Sequence, residues 1–215
     1  QRTVRASLRA AAEAEQAPAD RLRLLSEALA EAEAFELDQT CPELQLAKEA
    51  RNRVIRRQLH DCTLSHNAKA TEEALKRAAT VGLDETCEEV RAAKLMRENE
   101  ARAFLRRVAV SGSLDEIDSA MVKALAVGVG DEDAAMRIAR GAKKTRAKAV
   151  LTAAVADALD GGIPEPDSER ELLAVAAVDR ALALAKAESV EDGCPEIQAA
   201  RQLKKDFAIA SLEVA

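Results

Sequence analysis

Tyrosine and tryptophan are absent from this 215-residue chain, and phenylalanine occurs only three times. That scarcity removes the ring platforms on which single-stranded nucleic acids stack. It also argues against a β-sandwich, whose core draws on aromatic and β-branched residues. Glycine is sparse, and no Gly-rich phosphate loop occurs. No stretch approaches the roughly 20 apolar residues of a membrane-spanning helix, and no charged n-region followed by an apolar segment opens the chain. Four cysteines in a chain of this size do not make a secreted disulfide scaffold. The expected setting is therefore intracellular: the cytoplasm, or an organelle interior after removal of a targeting segment. Beginning at Gln1, the chain reads as processed or as cut from something longer.

What is present is alanine, leucine and valine, a composition that suits helices packed closely through small side chains. Net charge is -6, from 32 basic and 38 acidic residues, so the average field is not that of a nucleic-acid binder. An all-α chain is the expectation.

The octapeptides "LDQTCPEL" from Leu37, "LDETCEEV" from Leu83 and "VEDGCPEI" from Val190 are near-copies of one another. Extending them outward gives a register on Cys41, Cys87, Asp133 and Cys194, separated by 46, 46 and 61 residues. Several columns agree in all four copies. Ala28, Ala74, Ala120 and Ala181 form one; Ala32, Ala78, Ala124 and Ala185 another; Ala47, Ala93, Ala139 and Ala200 a third. Apolar columns run through Leu29, Leu44 and Leu59, the last reaching Leu105, Leu151 and Leu212.

Each copy reads as a hairpin of two helices, A then B. Glu36, Gly82, Gly128 and Ser189 stand where a left-handed residue ends the A helix, and the apolar residue after each supplies the closing contact. Thr40-Cys41-Pro42-Glu43 and Thr86-Cys87-Glu88-Glu89 fit a capping box, with Thr as N-cap of the B helix and Cys at N1. Ser113-Leu114-Asp115-Glu116 and Ser168-Glu169-Arg170-Glu171 fit the same box at the start of A helices. The stretch from Thr3 to Gln16 reads as one further helix, a cap or the B helix of a preceding unit.

About nine helices follow, stacked as a right-handed array of the α-solenoid kind. The expected organisation is a single repeat domain: residues 1–17 an N-terminal helix or cap, then repeats at 18–63, 64–112, 113–162 and 163–215. The 15 extra residues of the last spacing include "DALDGGIPEPDSERE" and imply two helices longer by about two turns each, with a projecting end from Gly161 to Asp167. Such an end reads either as an adhesive tip or as ordinary surface variation. The pattern "ALxxAxxxGLDxTCxEVxxAK" resembles Ala-rich helical-hairpin repeats of large algal and other protist proteins. That resemblance implies a folding unit and no activity.

Candidate chemistry is thin. The repeated cysteines fit either a nucleophilic thiol at a helix N-terminus or a small buried hydrophobe. Helix spacing puts equivalent cysteines too far apart to bridge, so free thiols are expected. His60, Cys62 and His66 in "HDCTLSH" lack the spacing of a zinc site, and a polar inter-hairpin loop is the plainer reading. No metal, cofactor or catalytic residue is assigned, and an enzyme is not expected.

The most informative polar feature is a pair of basic columns: Lys48, Lys94, Arg140 and Arg201, and three residues later Arg51, Arg97, Lys143 and Lys204. The spacing puts each pair on one helical face. Two roles fit. The ladder is either a partner-binding groove for an acidic helix, tail or polyanion, or a set of internal pairs with acidic A helices. The expected function is a scaffold or accessory subunit that binds other protein subunits, some with acidic surfaces. The alternatives are a helical carrier of an apolar or anionic small ligand, such as a pigment or lipid, and a basic RNA- or membrane-surface binder around "RGAKKTRAKAV" from Arg140.

Overall fold

The computed structural model describes residues 1–160 and 168–214. The expected projecting end, Gly161 to Asp167, lies outside the described residues. Among those described there are nine α-helices and no strand. They are α1 (Arg2–Glu13), α2 (Pro18–Ala34), α3 (Pro42–Leu64), α4 (Ala68–Thr80), α5 (Glu88–Ser111), α6 (Leu114–Ala126), α7 (Ala134–Leu159), α8 (Glu169–Ala187) and α9 (Pro195–Val214). The fold is all-α.

The chain forms two compact units, Gln1–Glu100 and Ala101–Ala215. The division falls inside α5. Helices that bury mainly against sequence neighbours share no single centre, so contacts can thin between hairpins without any break in the helix. In the first unit α1 packs on both α2 and α3, and α3 on α4; in the second α7 packs on α6, α8 and α9.

The repeated alanines are the buried positions. Ala47, Ala93, Ala139 and Ala200 are fully buried, and Ala32, Ala78, Ala124 and Ala185 nearly so. Each A-helix alanine shares a core cluster with the B-helix alanine of its own hairpin. Leu59, Leu105 and Leu151 end the B-helix stripe fully buried, each clustered with residues of the following A helix. Leu212, in the same column, is 77% exposed.

Each A helix ends as its sequence implies. Glu36, Gly82, Gly128 and Ser189 have φ of 47°, 77°, 99° and 54°. The next residue's N–H reaches back to the carbonyl five residues earlier in all four copies: Leu37 to Ala32, Leu83 to Ala78, Val129 to Ala124 and Val190 to Ala185, at 2.9–3.1 Å. His66 repeats this ending after α3, with φ of 49° and the Asn67 N–H on the Cys62 carbonyl at 3.3 Å.

The B-helix starts differ from expectation by one residue. Cys41, not Thr40, is the N-cap of α3, and Asp133 caps α7. The cause is a turn: the N–H of Cys41, Cys87, Asp133 and Cys194 each bonds the carbonyl three residues earlier. Thr40 and Thr86 therefore sit inside that turn, where their N–H groups bond Asp38 and Asp84 at 2.9 Å. The Ser113 box forms in full, and Ser168 Oγ accepts from the Glu171 N–H.

Extension of the last spacing is unequal. α8 has 19 residues against 13 in α4 and α6, whereas α7 has 26 against 24 in α5. The B helix stops because Asp160 turns to φ -62°, ψ 121°, directly before the Gly161-Gly162 pair of the sequence.

Two substitutions separate packing from backbone. Ala93→Leu places a larger side chain at a fully buried position and should lower stability by about 1–3 kcal/mol. Gly82→Ala meets no atom within 4 Å, so its expected loss of about 1–2 kcal/mol is conformational alone. Ser189→Gly should instead raise the thermal midpoint. Denaturant titrations of the three variants check these signs.

Candidate functional site

The thiols do not form a reactive cluster. Cys41, Cys87 and Cys194 are buried, Cys62 is half-buried, and all four are free. Cys41 Sγ donates to Glu43 Oε2 at 3.1 Å and Cys87 Sγ to Glu89 Oε2 at 2.9 Å. Those hydrogen bonds are the main cause holding the Glu43 and Glu89 carboxyls below the usual range. The thiol works as a cap-side donor on a small buried group.

His60, Asp61 and Cys62 belong to the last turns of α3, which runs to Leu64, so "HDCTLSH" is a helix end rather than a loop. Among the described residues no group of three or more His, Cys, Asp or Glu side chains is placed to hold a metal ion.

The basic columns have a regular geometry. In the first column, Lys94 Nζ meets Glu85 Oε1 at 2.6 Å, Arg140 pairs with Asp131, and Arg201 Nη2 meets Asp192 Oδ1 at 2.5 Å. Each partner lies nine residues earlier, in the turn before the B helix. In the second column, Arg97 Nη2 reaches Glu72 Oε2 at 3.4 Å, Lys143 Nζ meets Asp118 Oδ1 at 2.5 Å, and Lys204 Nζ meets Asp179 Oδ1 at 2.5 Å. Here the partner lies 25 residues earlier, on the A helix of the same hairpin. Lys143 gains a second carboxylate, Glu188 Oε1 at 2.9 Å, from the C-cap of α8. Six of the eight ladder cations thus bind carboxylates of their own chain.

The first copy breaks the rule at both positions. Lys48 Nζ bonds Gln39 Oε1 at 2.6 Å, a neutral group where the other copies have Glu85, Asp131 and Asp192. Arg51 has Ser26 where they have Glu72, Asp118 and Asp179. Its Nε is buried without a hydrogen-bond partner. Burial lowers the Arg51 pKa from its ordinary value, and the field of Glu33 opposes that shift only in part.

Both cations face a cavity of about 510 Å³ between α2, α3 and α4, with Leu22, Leu29, Leu37, Leu44, Ile55 and Val81 in its apolar lining. Arg77 of α4 is a third cation on this lining, and its nearest bond is a long one, 3.5 Å, to Gln58 Oε1. Sequence columns located Lys48 and Arg51. They did not single out Ser26, Gln39 or Arg77, whose meaning emerges only when each is compared with the ion pair formed at its equivalent.

No known protein family, curated protein or solved structure matches the chain.

Most of the paired ladder cations are more than a third exposed, so each pair should contribute about 0–1 kcal/mol. Lys143 differs, its side chain being 13% exposed between two carboxylates. Burial disfavours its charge, yet the hydrogen bonds to Asp118 and Glu188 win and raise its pKa. A raised lysine stabilises fully below its unfolded pKa, and that contribution is lost as pH rises through the folded value. The lowered Glu72 and Glu85, each held down first by its lysine hydrogen bond, stabilise above their unfolded pKa and lose that on acidification through the folded value. Thermal midpoints should therefore fall on both flanks, below about pH 4.5 and above about pH 10.5. Lys143→Met should lower the midpoint at pH 7 more than Lys94→Met and remove the Lys143 part of the alkaline fall.

Proposed function

We propose that the chain is a non-catalytic scaffold or accessory subunit that binds another protein through a groove on α7 and α8. The observation that carries this reading is the groove's exposed apolar lining, of which Leu173 is 63% and Val150 44% exposed. Ala154, Ala174 and Ala177 make its floor shallow enough for helix-on-helix contact, and the groove encloses about 660 Å³. Asp157, Arg170 and Arg180 stand on its lining. Two arginines against one carboxylate favour a partner helix with an apolar stripe and acidic flanks.

Further features support a structural role. Short hairpins with repeated alanine contacts suit α-solenoid-like stacking in a right-handed sense, the form in which helical repeats present extended binding surfaces. The four free thiols suit a reducing interior, whether cytoplasm or organelle. No helix of the described residues is long and apolar enough to cross a membrane.

The test is paired crosslinking in native extract, with the natural chain and a Val150→Asp/Leu173→Asp variant as baits. Both positions are solvent-exposed, so helicity by circular dichroism should be unchanged. A partner captured by the natural chain should be lost by the variant; retention at equal yield refutes the groove.

A further inference from the structure

The first-hairpin cavity differs from the third copy by charge changes that all run in one direction, and from the second by two of them, Ser26 for Glu72 and Gln39 for Glu85, since the second copy also has a valine, Val127, and a cation, Lys123, at the places of Val81 and Arg77. Beside Lys143, in the third copy, stand Asp118 and Glu188, with Leu184 one turn before Glu188 in the sequence, while Asp131 neutralises the neighbouring Arg140. At the equivalent places around Arg51 stand Ser26, Val81, Arg77 and Gln39. Three carboxylates are gone and a cation has been added. In the second copy the matching cavity, lined by Leu75, Leu83 and Val90, keeps Glu85 in ion pair with Lys94.

Lys48, Arg51 and Arg77 therefore line one cavity with a single carboxylate, Glu33, among its lining residues; Lys48 bonds the neutral Gln39 and Arg77 the neutral Gln58. A half-buried guanidinium with an orphaned Nε is costly unless an anion completes it. Volume adds a second constraint: about 510 Å³ is the size of a small-molecule site. Its apolar lining is leucine, isoleucine, valine and alanine with no aromatic ring, which suits an aliphatic body rather than a planar one.

We propose that this cavity binds a small amphiphilic anion, an aliphatic chain with a carboxylate or phosphate head, with Arg51 and Lys48 on the head and the leucine-lined wall on the chain. Arg77 closes the site from α4. A missing internal carboxylate becomes a vacancy that the ligand's head group fills. The proposal is independent of the α7–α8 groove, since every residue involved lies within Gln1–Glu100.

The experiment titrates the full chain with dodecanoate and with dodecyl phosphate, below their micellar concentrations, by calorimetry and amide NMR. Saturable binding of at least one probe is expected, with shifts at Leu37, Lys48, Arg51 and Val81; the stronger probe identifies the head group. Dodecanol and inorganic phosphate should each bind at least about tenfold more weakly, since each lacks half of the recognition. Ser26→Glu/Gln39→Glu restores the carboxylates seen in the other copies and should weaken binding by about tenfold or more while helicity is kept. Arg51→Met should have the same effect on affinity and serves if the double variant does not fold. Absence of saturable binding overturns the proposal. So does equal affinity for dodecanol, or unchanged affinity in the variant that folds.

Discussion

Close approach of paired helices through alanine is the constraint on which the rest depends. With three phenylalanines and no larger ring, the chain cannot fill wide gaps between helices, so each hairpin must bring its helices together. Ala32 and Ala47, Ala78 and Ala93, Ala124 and Ala139, and Ala185 and Ala200 are buried in the core clusters, one pair per cluster. Small contacts give little burial per residue, and the larger contributions come from Leu59, Leu105 and Leu151 against the next helix. Each hairpin is thus incomplete alone and completed by its neighbour in the chain.

That arrangement makes the fold unusually legible. Alanine and leucine columns mark the buried stripes directly, and Gly82 and Gly128 mark left-handed helix ends because no side chain competes there. Glu36 and Ser189 reach the same φ without glycine, which only the register between copies could indicate. The B-helix cap was misplaced by one residue for a definite reason. Thr-x-x-Glu is a genuine box at Ser113, but after the A-helix ending a tight turn consumes the threonine. Local pattern gives the same signature in both settings, and only the preceding turn distinguishes them. The unequal extension of α7 and α8 was likewise hidden, since apolar periodicity continues to Leu159 in the sequence whether or not another helical turn follows.

Charge was legible by column and opaque by pair. The eight basic positions stand out, yet their partners lie nine and 25 residues away, spacings with no meaning until the hairpin is closed. Once closed, the ladder divides. Six cations are neutralised by the chain itself, so they offer a ligand little unless it displaces a carboxylate already held at close range.

Repetition then supplies its own control. Positions alike in all copies, such as the alanine pairs, serve what all copies share, which is packing. A specific ligand needs an asymmetric site, so its residues must be found where one copy departs from the others. Two departures bear on a ligand: the lengthened α8 beside α7, with its exposed leucines, and the first hairpin, where Ser26 and Gln39 stand in place of the acids of the other three copies. A single neutral replacement would be unremarkable on a surface. Two, at the ladder arginine whose Nε is buried without a partner, leave a positive cavity in which Glu33 is the one lining carboxylate.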